Sequence, residues 1–181
     1  ALRKLPYLEG EVYLAKDGTF IRDGKPFFPL MQWAANEDFI EGVNVFLDWK
    51  PYRDTLYISP AISFNKEIAK ACRADSINSE DAAKLREIVG TEMRKPGLFA
   101  YYLSDEPEVF GDTVNALNQF YQVISETDPW HPVILSNNSV TGIYDYANAG
   151  DVNGAHSYPK PHRTKPFNDF EKIVNFVDAF H

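Results

Sequence analysis

The chain has 181 residues, 44% of them hydrophobic and 24% charged, with a net charge of −8 and a single cysteine, Cys72. That length suits one domain of roughly 100–200 residues with a sizeable core, and the composition excludes a disordered or low-complexity chain. The acidic balance excludes a general nucleic-acid binder, the lone cysteine excludes an internal disulfide and a thiolate zinc site, and no apolar run reaches the roughly 20 residues that cross a bilayer.

In chain order, residues 1–27 read as short strands and turns leading into the remainder, 28–181. Asp17-Gly18 and Asp23-Gly24 are turn dipeptides, and the second joins Thr19-Phe20-Ile21 to Phe27-Phe28 as a β-hairpin. Residues 1–10 are mixed and charged and lack the pattern of a signal peptide. From residue 28 the grammar changes to short apolar runs at 28–33, 43–49, 56–63, 98–104, 132–137 and 152–158. Unbroken runs of this kind suit strands buried on both faces of a parallel sheet.

Helical periodicity lies between some of these runs. The stretch 79–94 puts Ala82, Leu85, Ile88 and Val89 on one face, with Ser79 as its cap. The stretch 112–127 does the same with Val114, Leu117, Phe120, Tyr121 and Ile124, and 167–180 with Phe170, Ile173, Val174 and Val177. Strand alternating with helix defines an α/β fold. Two links, 34–42 and 50–55, are too short for a comfortable parallel crossover, which takes about a dozen residues or more. Either those strands are not parallel neighbours or crossover helices are missing from the chain. The second alternative is expected, with a break or chain jump near residues 50–55 and a sheet that does not close as an eight-stranded barrel.

The segment Gly97-Leu-Phe-Ala-Tyr-Tyr-Leu-Ser-Asp-Glu-Pro-Glu108 carries the most chemical information. An apolar strand runs straight into three carboxylates, Asp105, Glu106 and Glu108, and the C-terminal ends of strands are where α/β folds place active sites. Pro107 ends the strand and restricts Glu106. Low dielectric and a like-charged neighbour favour the proton-holding form that a general acid needs. Glu108 reads instead as an acid at a helix N-terminus.

Leu103-Ser-Asp-Glu-Pro107 resembles the end of the fourth strand in the large clan of retaining (β/α)8 glycoside hydrolases, where an Asn-Glu-Pro motif carries the acid/base. Four further pieces stand in the same order as in that clan. Asp23-Gly-Lys-Pro-Phe-Phe-Pro-Leu30 is similar to the opening hairpin and first strand, Gly42-Val-Asn-Val-Phe46 to the second strand, Thr127-Asp-Pro-Trp-His-Pro-Val133 to the approach to the fifth, and His156-Ser-Tyr-Pro159 to the end of the sixth. The resemblance covers about residues 20–180. It implies a partial TIM barrel of about six βα units behind the N-terminal hairpin, and an enzyme that hydrolyses O-glycosidic bonds of a poly- or oligosaccharide without a cofactor or metal. Glu106 would be the acid/base, and Asp105 stands where the clan has an Asn that bonds the sugar 2-hydroxyl. His156 and Tyr158 would line the floor near the reacting sugar.

Other strand ends supply Gln32 and Trp33, Asp48 and Trp49, and Asn137 and Asn138. Aromatic platforms with amides and carboxylates match the C–H faces and hydroxyls of sugars. Trp130 reads as structural, because it lies in a connection opposite the site. The retaining mechanism needs a second carboxylate about 5–5.5 Å from the first, which the clan places on its seventh strand. In that clan it is a Glu, and the only Glu after Glu126 is Glu171, inside a helical pattern, so the nucleophile is expected outside this chain. Rival readings are a non-catalytic carbohydrate-binding barrel, a substrate-assisted hexosaminidase-like enzyme using the Asp105-Glu106 pair, and a barrel lyase or isomerase acting on sugar acids. The substrate class implies a secreted or periplasmic location. Oligomeric state is left open.

Overall fold

The structure, a computed structural model, describes residues 5–33, 40–51, 55–155, 174, 175 and 177. Its first unit is a three-stranded antiparallel sheet of β1 (Val12–Leu14), β2 (Phe20–Arg22) and β3 (Lys25–Phe27). Asp23 and Gly24 join β2 to β3 with φ of 49° and 73°. Two successive positive φ values match the right-handed twist of the flanking strands in a two-residue hairpin. The expected hairpin is therefore present. The Asp23 carboxylate also accepts bonds from the Gly10 amide (2.6 Å) and the Tyr7 hydroxyl (3.0 Å), which fastens the chain ahead of β1.

The second unit is a six-stranded sheet whose spatial order is its chain order: β4 (Met31–Trp33), β5 (Val45–Leu47), β6 (Leu56–Ser59), β7 (Leu98–Asp105), β8 (Val133–Asn137) and β9 (Val152–Ala155). Every adjacent pair is parallel. The idea that the first strands are not parallel neighbours is thus overturned. The expected chain jump falls partly on residues 52–54, which lie outside the described residues. Among the described residues β4 and β9 are the two edges, so the sheet is a half-barrel.

The sheet is curled. Strands β4 and β7 are three positions apart, or about 14 Å if flat, yet the rings of Trp33 and Tyr102 meet with centroids 5.6 Å apart at 85°. Helices cover the convex face of its central strands. These are α1 (Lys66–Cys72), α2 (Ser79–Glu92) and α4 (Val114–Thr127), while α3 (Pro107–Phe110) and α5 (Val140–Asp145) follow the ends of β7 and β8. The cap of α2 is Asn78 rather than Ser79. Its side-chain oxygen accepts from the amides of Glu80 and Asp81, while Asp81 accepts from the Asn78 amide. That reciprocal pair satisfies donors that a serine one residue later would leave open. Val174, Asn175 and Val177 are helical, as expected for 167–180, whose other residues lie outside those described.

Two apolar layers follow. On the convex side Tyr57, Tyr101, Leu103 and Leu135 pack with Leu85, Val89, Leu117 and Phe120 of the helices. On the concave side Val45, Leu47, Ile58, Phe99, Tyr102 and Ile134 pack with Val12 and the hairpin residues Phe20 and Phe27. The Phe20 and Phe27 rings lie 5.2 and 5.5 Å from Phe99. Each fully buried side chain of this size contributes roughly 1.5–3 kcal/mol. The hairpin is thereby the floor of the half-barrel, and the opposite, C-terminal end of the strands stays open. No helix among the described residues is long and apolar enough to cross a membrane.

Candidate active site

Strand β7 delivers Asp105 and Glu106 to that open end. The Glu106 amide still donates to the Ser136 carbonyl of β8 at 2.7 Å, and its own carbonyl accepts from the amides of Val109 (2.8 Å) and Phe110 (3.2 Å) to start α3. Between these bonds Glu106 adopts φ 47° and ψ 55°, a left-handed conformation held by no glycine. Such a backbone costs about 1–3 kcal/mol and persists where neighbours enforce it. The Glu106 carboxylate accepts from Nδ2 of Asn138 at 2.6 Å.

Asp105 is fixed from below. The Tyr102 hydroxyl donates to Asp105 Oδ1 at 2.8 Å. Burial, then the Asp105 charge and this hydrogen bond, hold the Tyr102 phenol far above its ordinary pKa, so it remains a donor at neutral pH. The edge of the same ring system meets Trp33 of β4, which is half exposed. Asp105 also borders a cavity of about 200 Å³ with Arg73, Ser104 and Asp112. There Asp112 accepts from Ser104 Oγ at 2.7 Å and lies 3.9 Å from Arg73 Nε. Burial raises the Asp112 carboxyl in spite of both partners.

Glu108 does more than favour a helix dipole. Its Oε1 accepts from the amides of Asn138 (2.6 Å) and Ser139 (2.7 Å) and from Ser139 Oγ (3.0 Å). Ser139 is itself the cap of α5, accepting from the Gly142 amide. Asn137, expected at the sugar surface, lies in the wall: it is fully buried, and its amide is spent on Asn153 and the Gly154 carbonyl across β8 and β9. The side chain of the next residue, Asn138, reaches Glu106.

The remaining candidates lie around the β4–β6 end. Gln32 accepts from the Ile40 amide at 3.3 Å. Asp48 accepts from the Trp49 amide at 2.6 Å, and the half-exposed Trp49 ring stands 6.5 Å from Phe64. Trp33, Leu47, Asp48, Trp49, Pro60 and Phe64 enclose a hollow of about 140 Å³. Phe64 and Tyr102 were not among the expected site residues. Phe64 follows β6 closely, and the strand-end rule that found Trp33 and Trp49 extends to it. His156 and Tyr158 lie outside the described residues. Trp130 donates from its indole to the Pro6 carbonyl at 2.9 Å and belongs to the floor. Among the described residues no group of three or more His, Cys, Asp or Glu side chains is placed to hold a metal ion.

No protein-family model matches the sequence, and a search of curated proteins returns no match. Solved structures do resemble it. A glycosyl hydrolase family 2 member from Bacteroides cellulosilyticus superposes with a TM-score of 0.54 at 16% identity, over 85% of this chain and 25% of that one. Bacteroides uniformis beta-glucuronidase 2, covalently bound to cyclophellitol-6-carboxylate aziridine, gives 0.55 at 12% over 94% and 25%. Parabacteroides merdae beta-glucuronidase with glycerol in its active site gives 0.51 at 10% over 93% and 24%. The chain spans about a quarter of the length of these structures. At such identities the likeness is one of fold: this half-barrel is an arrangement found in glycoside hydrolases.

Proposed function

We propose that the chain is part of the catalytic barrel of a retaining glycoside hydrolase acting on a poly- or oligosaccharide, with Glu106 as acid/base. The observation that carries this reading is Glu106 itself, held in a left-handed turn at the C-terminal end of β7 with its carboxylate on Asn138. The fold shared with glycosyl hydrolase family 2 and beta-glucuronidase structures supports it. In the first step the Glu106 carboxyl gives its proton to the glycosidic oxygen while the C–O bond breaks and a second carboxylate bonds to the anomeric carbon. In the second, the Glu106 carboxylate takes a proton from water as the water oxygen displaces that carboxylate. The nucleophile would come from a further strand of the same barrel, outside these residues.

Asp105, aimed by Tyr102, accepts a sugar hydroxyl, and Trp33 and Trp49 offer apolar faces to neighbouring rings. Secretion or a periplasmic location goes with such a substrate. The test uses the protein expressed from its complete reading frame and a panel of aryl and alkyl β-glycosides that includes glucuronides. Glu106→Gln is expected to lower turnover about 10²–10⁴-fold on substrates whose leaving group must be protonated. The loss should be far smaller on 2,4-dinitrophenyl glycosides, and azide should restore activity there by replacing water. Unchanged hydrolysis by Glu106→Gln overturns the reading.

A further inference from the structure

We propose that Glu108 and Asn138 form a clamp that positions the Glu106 carboxylate; this rests on reading Glu106 as the acid/base. The two glutamates flank Pro107, and both reach the same dipeptide, Asn138-Ser139, at the end of β8. Glu108 takes its backbone: one oxygen, Oε1, gathers two amides and a hydroxyl within 3.0 Å. With the Asn138 amide pinned, its side chain is directed back to Glu106, where Nδ2 donates to Oε1 at 2.6 Å.

Asp105 is a carboxylate and has no N–H to offer its neighbour. Helix α3 has four residues, too few to hold Glu106 by packing alone. An Asn amide nitrogen donates and never accepts. The Asn138 bond therefore anchors the Glu106 carboxylate to the end of β8. The clamp thus fixes the place of the acid. Glu108 and Asn138 are positioning residues, acting through Glu106.

The experiment compares Asn138→Ala, Glu108→Ala and Glu108→Gln with the wild type, again in the protein from the complete reading frame. Two readouts are taken: a crystal structure of each variant, and turnover on an alkyl glycoside against a 2,4-dinitrophenyl glycoside. The Ala variants are expected to show a displaced Glu106 carboxylate in an unchanged barrel. They should also lose about 10²-fold on the alkyl glycoside, with a much smaller loss on the dinitrophenyl one, since an ångström of misplacement costs about that much. Glu108→Gln keeps an acceptor for the two amides and should hold the wild-type ratio between the substrates. Equal losses on both substrates, or a Glu106 carboxylate unmoved in Asn138→Ala and Glu108→Ala, overturn the clamp. A wild type inactive on every glycoside overturns the functional reading alone, and the variant structures then still decide for or against the clamp.

Discussion

Glu108 occupies the space that a side chain on Gly142 would need: its Oε1 stands 2.5 Å from the position of a Cβ there, and Asn137 Oδ1 stands 3.0 Å away. Gly142 lies in α5, where glycine is otherwise unfavourable by roughly 1 kcal/mol relative to alanine. The residue is required by the carboxylate that crosses it. Gly142→Ala should therefore destabilise, by about 1–3 kcal/mol, instead of gaining the usual helical benefit. Thermal unfolding checks this, and a variant more stable than the wild type would show that Glu108 does not need the gap.

Acid sensitivity should originate at the floor, in Asp128. This carboxylate is fully buried, accepts from the Tyr101 hydroxyl (2.6 Å) and the Trp130 amide (3.0 Å), and lies 2.8 Å from His131 Nδ1. Burial pushes its pKa up, but the bonds and charge of His131 and the bonds from Tyr101 and Trp130 prevail and hold it below the ordinary value of 3.8. A depressed folded pKa gives stability that is complete above the unfolded value and drains away as pH falls through the folded one. Denaturant titrations from about pH 6 to about pH 2 should show this decline, and Asp128→Asn should flatten it and cost about 1–3 kcal/mol at neutral pH. An unchanged acid slope in Asp128→Asn would assign the decline to other groups.

Trp33 gives a prediction about substrate. The residue is 51% exposed, so removing its ring leaves the core largely intact, whereas a stacked sugar would lose its platform. Trp33→Ala should raise KM about tenfold, with only a small change in melting temperature. Trp33→Phe should fall between. A KM that does not move would mean that the sugar passes elsewhere.

The parts of the fold with a strong local code were legible in the sequence. Asp23-Gly24 gave the hairpin, the long apolar run gave β7, and the spacing of Leu85 and Val89 gave α2. Helix α1 escaped notice because seven residues are too few for a period to stand out, and its signal was the cap at Asn65. Asn137 and Asn138 were harder to tell apart for a physical reason. Strands buried on both faces carry no polar alternation, and the pairing of β7 with β8 shifts register between Tyr102 and Ser104. Asn137 is the last residue of β8 and Asn138 lies beyond it, so the alternation of the pleat does not set the direction of Asn138. Glu108 was visible as an acid near a helix start, but its partners come from 30 residues further along the chain.

Adjacent strands of the half-barrel are also consecutive in the chain, so each stave can add to the one before it across at most the 38 residues between β6 and β7. The floor obeys another rule. Val12 donates to the Trp130 carbonyl at 2.8 Å, the Trp130 indole reaches back 124 positions to Pro6, and Phe20 and Phe27 wait for Phe99. Those contacts carry the largest loop-closure entropy in the described chain and are repaid only after β7 and the turn beyond α4 exist. The hairpin, which precedes the sheet in the chain, is therefore among the last parts to dock: a latch that shuts on a sheet already assembled.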